Sequence, residues 1–113
     1  MRREGGLRSE GVQQAVAEVR RGLERLYGLR LAGVVLFGSR ARGEGRADSD
    51  VDLLVILRGP VDPNEEMRRT TALVSRVSLE HDTVISCVYA SEEEYRSSGS
   101  PLLINVRREG IPA

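Results

Sequence analysis

Two aspartates, Asp50 and Asp52, stand two positions apart at the start of the apolar run 51–57. Alternate residues of a β-strand point to the same side, so a strand here places both carboxylates on one face, roughly 7 Å apart. Solvated charges on an edge strand are the alternative, but the run is apolar at both alternations, which is typical of a buried central strand. Two like charges are unfavourable there without a cation. A divalent metal is the simplest candidate, and magnesium suits hard carboxylate and phosphate oxygens.

A second segment with residues suited to ligand binding lies upstream of the aspartates and reads Gly38-Ser39-Arg40-Ala41-Arg42-Gly43. Gly38 and Ser39 follow an apolar run, and a glycine at that place lets backbone N–H groups approach a phosphate. The next residues begin a helical turn whose N-terminus favours an anion, and Arg40 or Arg42 is placed to stabilise charge on a leaving pyrophosphate. An ordinary Gly-Ser turn with exposed arginines is the alternative. The nearby aspartates favour a phosphate site.

The elements that position these segments follow from apolar spacing and from helix-capping residues. Helical spacing predicts a first helix over 9–27 with Ser9 as its N-cap, and Asp62 followed by Pro63 opens another. Ser91 with Glu94 forms a capping box. The complete prediction is a helix (9–27), strands (31–37 and 50–57) around a polar loop (43–49), a helix (63–79), a strand (82–89), a short helix after Ser91 and a last helix (101–109). The fold class is therefore α/β, a small mixed sheet of about three strands flanked by helices, with the first two strands antiparallel.

Size and composition limit the function further. The 113 residues predict a single domain over 1–113, with a flexible charged and glycine-rich segment over 1–8. Seventeen basic residues balance seventeen acidic ones, which disfavours direct nucleic-acid binding. The single cysteine, Cys87, excludes an intramolecular disulfide and favours a role as a small core residue. No signal sequence or membrane-spanning run is present, so we expect a cytoplasmic protein.

The Gly-Ser turn followed by Asp-x-Asp on the next strand resembles the nucleotidyltransferase superfamily that includes DNA polymerase beta. More closely, residues 9–111 resemble the minimal nucleotidyltransferases (MNT proteins) of prokaryotes, which are often encoded beside a HEPN-domain protein. The resemblance includes the closing segment 105–111. It implies a polymerase-beta-like core and nucleotidyl transfer from a nucleoside triphosphate, with ATP as donor. Asp50 and Asp52 would bind two magnesium ions, and Gly38 and Ser39 would hold the outer phosphates.

The resemblance also implies a third carboxylate on a neighbouring strand, which binds one metal and helps to deprotonate the nucleophile. Asp82 is the candidate, and Glu80 is a weaker one. Strand parity places Asp82 and Ser86 on one face, so a shift of the strand brings Ser86 to the metals and removes the third carboxylate. His81 fits an ordinary residue at a strand edge better than a base.

Three functions stay open at this stage. The first is an antitoxin that transfers AMP from ATP to a tyrosine of a HEPN toxin, an acceptor implied only by the resemblance. The second is a nucleotide-binding antitoxin that neutralises its partner by occlusion. The third is a small-molecule nucleotidyltransferase, but such enzymes resemble this core with an added helical domain, so a separate partner is expected to supply the substrate platform. The helix surfaces also leave room for an oligomer.

Overall fold

The structure is a computed structural model that describes residues 2–43 and 50–113. The predicted loop residues 44–49, with Asp48 and Ser49, lie outside the described residues. In chain order the elements are α1 (Arg2–Tyr27), a 3₁₀ turn (Gly28–Arg30), β1 (Leu31–Phe37), β2 (Val51–Leu57), α2 (Pro63–Glu80), β3 (Ile85–Ser91), α3 (Glu92–Ser97), α4 (Pro101–Glu109) and β4 (Ile111–Pro112).

The four strands form one mixed sheet in the order β3-β2-β1-β4. Strand β2 pairs antiparallel with β1, as predicted, and parallel with β3 across the α2 crossover. Strand β4 was not predicted. It pairs antiparallel with β1 through two positions, Val35 with Pro112 and Leu36 with Ile111. Two residues that include a proline carry no strand pattern, so only the closure of the chain onto β1 reveals this strand.

Helices cover both faces of the sheet, and each face has its own apolar core. The α1–α2 face takes the odd-numbered residues of β2, and the α3–α4 face takes Leu54 and Ile56. This alternation follows from the two-residue period of a strand. The buried residues on the first face are Ala15, Val19, Leu23, Tyr27, Val34, Val51, Leu53, Val55, Leu57, Val77, Ile85 and Tyr89. Half-buried Cys87 packs against this core, where burial raises the pKa of its thiol to about 11 and keeps it protonated.

Four elements differ from their predicted boundaries, β2 and α2 by a single residue and α1 and β3 by more. Helix α1 is continuous through Ser9 and begins at Arg2, so the N-cap role predicted for Ser9 is wrong. The glycines at 5 and 6 cost only about 1 kcal/mol each in a helix, too little to stop one that packs on a sheet downstream. Strand β3 covers Ile85–Ser91 rather than 82–89, because its pairing with β2 starts at Val51. The flexibility of residues 1–8 stays a prediction.

The helix caps agree closely with the sequence. The Asp62 carboxylate accepts hydrogen bonds from the N–H groups of Asn64 and Glu65 at 3.1 and 3.5 Å. Ser91 and Glu94 form the predicted capping box, with both hydrogen bonds at 3.0 Å. These side chains satisfy helix N–H groups that have no partner inside the helix. They therefore fix where α2 and α3 begin.

A buried carboxylate joins the two helices of the α1–α2 face. Glu66 is 3% exposed and accepts a hydrogen bond of 2.7 Å from the Tyr27 hydroxyl. The guanidinium groups of Arg30 and Arg69 lie 3.8 and 3.5 Å from its oxygens. Burial and the Glu66 carboxylate raise the pKa of Tyr27, so the hydroxyl keeps its proton and remains a donor. This contact secures the end of α1 to the start of α2.

Replacing Tyr27 with Phe should lower the free energy of unfolding by about 1–3 kcal/mol, because a buried carboxylate loses its shortest hydrogen bond. Urea unfolding measures the change. Tyr95→Phe is the matched control, since no described residue accepts a hydrogen bond from the Tyr95 hydroxyl, and it should be close to neutral. Equal stabilities of the two variants would contradict a stabilising role for the Tyr27–Glu66 contact.

Candidate functional site

Asp52 lies near the N-terminal end of β2 and is the one residue of that strand that is not buried. Its neighbours across the sheet are Phe37 on β1 and Ser86 on β3. Its position in the alternation of β2 puts it on the α3–α4 face. Asp50 is exposed and comes immediately before the strand. The two aspartates therefore lie where the buried central strand reaches the surface.

The predicted phosphate turn begins directly beside Asp52. Gly38 has a φ of 81°, and the Gly38 carbonyl accepts hydrogen bonds from the N–H groups of Ala41 and Arg42 at 3.1 and 3.3 Å. A Cβ atom on Gly38 would lie 2.5 Å from the Asp52 Oδ2 atom. Glycine is therefore needed twice, for the left-handed backbone and for the space that the carboxylate occupies. Ser39 follows, half-buried in the same turn.

The electrostatics of this position fit a cation. Burial raises the pKa of Asp52 above its usual range, and the Asp50 charge adds to the increase. Both causes penalise the ionised carboxylate, and a bound divalent cation would relieve both. The donors are carboxylate oxygens, which magnesium prefers, and the missing side chain at Gly38 leaves the space in which the Asp52 Oδ2 atom lies. The residues present therefore suit a magnesium ion.

An ion pair connects the turn to the opposite end of the chain. The Arg42 guanidinium lies 3.4 Å from the Glu109 carboxylate at the end of α4. Arg40 is half-buried in the same turn, and both arginines have further interactions of their own. Sequence reasoning did not find Glu109, because no local pattern relates residues so far apart. The pair brings the C-terminal helix to the edge of the site.

The third predicted carboxylate is not beside the other two in the sheet. Asp82 is exposed, has a φ of 51° and lies in the turn before β3. Ser86 pairs with Asp52 instead. The metal-binding and catalytic role of Asp82 therefore stays a prediction, and the register does not favour it.

The other two candidates near Asp82 are Glu80 and His81, and both have side-chain partners on the α1–α2 face. His81 forms a contact of 2.6 Å with Glu18, and Arg76 lies 3.7 Å from Glu18 and 3.2 Å from Glu80. His81 thus joins α1 to the end of α2. Its surroundings agree with a structural role rather than that of a base.

Comparison with known proteins identifies the family. The family model described as "Nucleotidyltransferase domain" matches residues 16–107, most of the chain. The chain is a minimal nucleotidyltransferase. Two similar proteins of Methanocaldococcus jannaschii are named "Putative protein adenylyltransferase MJ0141" and "Putative protein adenylyltransferase MJ0604". The first is 32% identical over 65% of this chain and 73% of its own length, and the second is 33% identical over 72% and 75%.

A similar solved structure is described as "Crystal structure of the toxin-antitoxin with AMP-PNP". It aligns with a TM-score of 0.59 at 22% identity, over 83% of this chain and 68% of the other. At that identity the match shows the fold alone. Among the described residues of this minimal nucleotidyltransferase, no helix has the length and apolar character needed to cross a bilayer.

The aromatic residues fall into two groups relative to the site of the nucleotidyltransferase. Tyr27 and Tyr89 are buried on the α1–α2 face, where Tyr89 and Thr70 hydrogen-bond through their hydroxyls. Phe37 and Tyr95 pack at the edge of the α3–α4 core, on the Asp52 side of the sheet. This second pair shares the face of the sheet on which Asp52 lies.

Gly38→Ala tests the contact between the turn and Asp52, with Gly59→Ala as a matched control. Gly59 has a φ of 82° at the opposite end of β2, and a Cβ atom there would meet nothing within 4 Å. Both variants should lose about 1–2 kcal/mol of stability from the left-handed backbone. Only Gly38→Ala should also weaken magnesium binding, by about tenfold or more, because it displaces a ligand. Titration calorimetry measures the magnesium affinity of each variant. Equal affinities would contradict a role of the Gly38–Asp52 contact in magnesium binding.

Asp52→Asn should raise the melting temperature of the metal-free protein at neutral pH. The folded-state pKa of Asp52 lies above its unfolded value, so the folded state is penalised while Asp52 is ionised and recovers as the pH falls through the folded pKa. The advantage of the variant should therefore shrink as the pH falls through the raised pKa of Asp52 and the carboxyl takes up its proton. Thermal melts in a chelator measure it. A lower melting temperature for Asp52→Asn at neutral pH would contradict the claim that the ionised Asp52 carboxylate destabilises the metal-free protein.

Proposed function

We propose that this protein transfers AMP from ATP to a hydroxyl group of a partner protein. The observation that carries the proposal is the closeness of Asp52 to Gly38, where a Cβ atom would lie 2.5 Å from the Asp52 Oδ2 atom. That contact joins a phosphate-binding turn to a candidate metal-binding carboxylate. Nucleotidyl transfer needs these two parts at the same phosphate. The relatives named as protein adenylyltransferases support a protein acceptor.

Asp50 and Asp52 would hold the magnesium, two ions in our proposal, at the exposed end of β2. When bound, magnesium stabilises both the attacking and the leaving oxygens of an in-line displacement. The protein itself would orient the two carboxylates that bind the metal. The sheet holds the backbone of Asp52 on both sides, between Phe37 and Ser86, and so fixes the direction in which its side chain leaves the strand. Asp50, outside the strand, is free of that restraint and would adjust to the nucleotide.

The turn after β1 would bind the triphosphate. Gly38 leaves the backbone open beside Asp52, and Ser39 offers a hydroxyl and an N–H group as donors. Arg40 and Arg42 would stabilise charge on the pyrophosphate as it leaves. The pairing of Arg42 with Glu109 orients its guanidinium and holds it near the turn.

The partner in this proposal is a toxin of the HEPN type, with a tyrosine as the acceptor. The likeness to a toxin–antitoxin structure with AMP-PNP supports a toxin partner and an adenine nucleotide. The HEPN identity and the tyrosine come from the sequence resemblance to MNT proteins. The open Asp52 site, at the end of a strand rather than in a closed cavity, suits a large acceptor.

Neutralisation of the toxin by occlusion is the second candidate, and one observation favours it. Ser86 occupies the position beside Asp52 where a third carboxylate would assist the nucleophile. Without that carboxylate, proton removal from the acceptor would fall to Asp82, to the partner or to solvent. A slow or inactive transferase that still binds its partner would follow.

Intact-mass spectrometry tests the proposed transfer directly. A candidate HEPN-domain partner, purified separately, should gain the mass of one or more AMP units after incubation with this protein, ATP and magnesium. Asp50→Asn should reduce the rate by about 100-fold or more, because even the indirect supports of a metal ligand cost 10–100-fold when removed. Omission of magnesium should have the same effect.

Two further arms separate the alternatives. Asp82→Asn should slow the transfer only if Asp82 acts as the third carboxylate, and full activity would exclude that role. A stable complex without any mass gain would favour occlusion. The absence of both complex and mass gain would count against both protein-directed functions and favour a small-molecule acceptor.

A further inference from the structure

The outer edge of β3 has an unusual pattern of backbone partners. The Val51 N–H donates to the Val84 carbonyl at 2.8 Å, which sets the parallel hydrogen-bond pattern between β2 and β3. In that pattern the backbone groups of residues 84, 86, 88 and 90 face β2, and those of Ile85, Cys87, Tyr89 and Ser91 face away from it. Strand β3 is the outermost strand on this side of the sheet.

The two ends of this edge are satisfied within the chain, and its middle is not. The Ile85 N–H donates to the Ser78 hydroxyl at 3.3 Å, and the Ser91 N–H donates to the Glu94 carboxylate at 3.0 Å. Among the described residues, none accepts a hydrogen bond from the outward N–H of Cys87 or Tyr89. The open part of the edge therefore consists of two residues that alternate correctly for pairing with another strand.

The edge also lacks the features that normally prevent strand pairing. Residues 84–90 include no charged residue and no proline, and their register with β2 has no bulge. Natural edge strands usually carry such features because an unprotected edge pairs with other strands. Two exposed apolar side chains flank this edge, with Val84 59% exposed and Met67 55% exposed.

We propose that β3 pairs with β3 of a second copy of this chain, antiparallel across a two-fold axis at Val88. Under this symmetry Cys87 of each copy stands opposite Tyr89 of the other, so the backbone N–H and carbonyl groups of these two residues gain partners. No charges oppose each other across the axis, because the strand is uncharged. The two four-stranded sheets become one sheet of eight strands.

The groove beside the edge gives the second strand a place to lie. It has a volume of about 250 Å³ between α2 and β3, and Thr71, Val74 and Ser75 line its helical side. Side chains of an added strand would alternate between this groove and the opposite face of the sheet. The pairing leaves Asp50 and Asp52 uncovered, since they lie one strand further in. The proposal is therefore independent of the proposed function.

Sedimentation velocity from low to high micromolar concentration tests the pairing. The wild-type chain should show a reversible monomer–dimer equilibrium. Thr71→Arg places a guanidinium over the groove from each copy and should weaken the dimer by about tenfold or more. Ala72→Arg is the matched control, because Ala72 faces the neighbouring groove between α1 and α2. It should leave the dimer unchanged.

Amide hydrogen exchange gives a second, residue-level test. The Cys87 and Tyr89 amides should become protected as the concentration rises, whereas those of Val88 and Ala90, already bonded to β2, should not change. A monomer at every concentration would overturn the proposal. So would a dimer that persists equally in Thr71→Arg, or one without the alternating protection. Protection of Cys87 and Tyr89 only after addition of a partner protein would assign the edge to that partner instead.

Discussion

The burial of β2 determines where this protein can place charge. The strand has a neighbour on each edge and an apolar core on each face, and six of its seven residues are buried. A carboxylate in the middle of such a strand would be prohibitively desolvated. Near the N-terminal end, the same strand gives Asp52 a rigid backbone together with access to solvent. The position of the candidate site thus follows from the architecture of the core.

The polar side chains on the two faces of the sheet have different roles. On the α1–α2 face, polar contacts such as Tyr27–Glu66 and Glu18–His81 hold helices to one another. On the α3–α4 side, the Gly38 turn lies beside Asp52, and the ion pair of Arg42 with Glu109 connects that turn to the end of α4. The α1–α2 face therefore supports the site without taking part in its chemistry. The unfavourable pair of Asp50 and Asp52 is tolerable because the opposite face supplies stability.

Local patterns in the sequence were sufficient for most of the framework. Strand β1 and helix α4 have the predicted limits, and the Asp62 and Ser91 caps are where their side chains indicated, because each depends on residues a few positions apart. The Gly38 turn was predicted for phosphate binding, but its contact with Asp52 depends on the pairing of β1 with β2. Asp82 fell outside β3 because the register with β2, rather than apolar alternation, sets where that strand begins. The Arg42–Glu109 pair depends on the whole fold and has no local signal.

The short strand β4 has a consequence for the order in which the chain folds. Its contact with β1 joins distant parts of the sequence through two paired positions and the hydrogen bond of 2.8 Å from the Ala113 N–H to the Val34 carbonyl. Closing so long a loop for so few hydrogen bonds is entropically costly, so this segment should be added late and should open first. The β1–β2 hairpin, which brings Gly38 to Asp52, needs no such closure. The carboxylate and its turn can therefore meet early, and the C-terminal segment can detach and return without dismantling them.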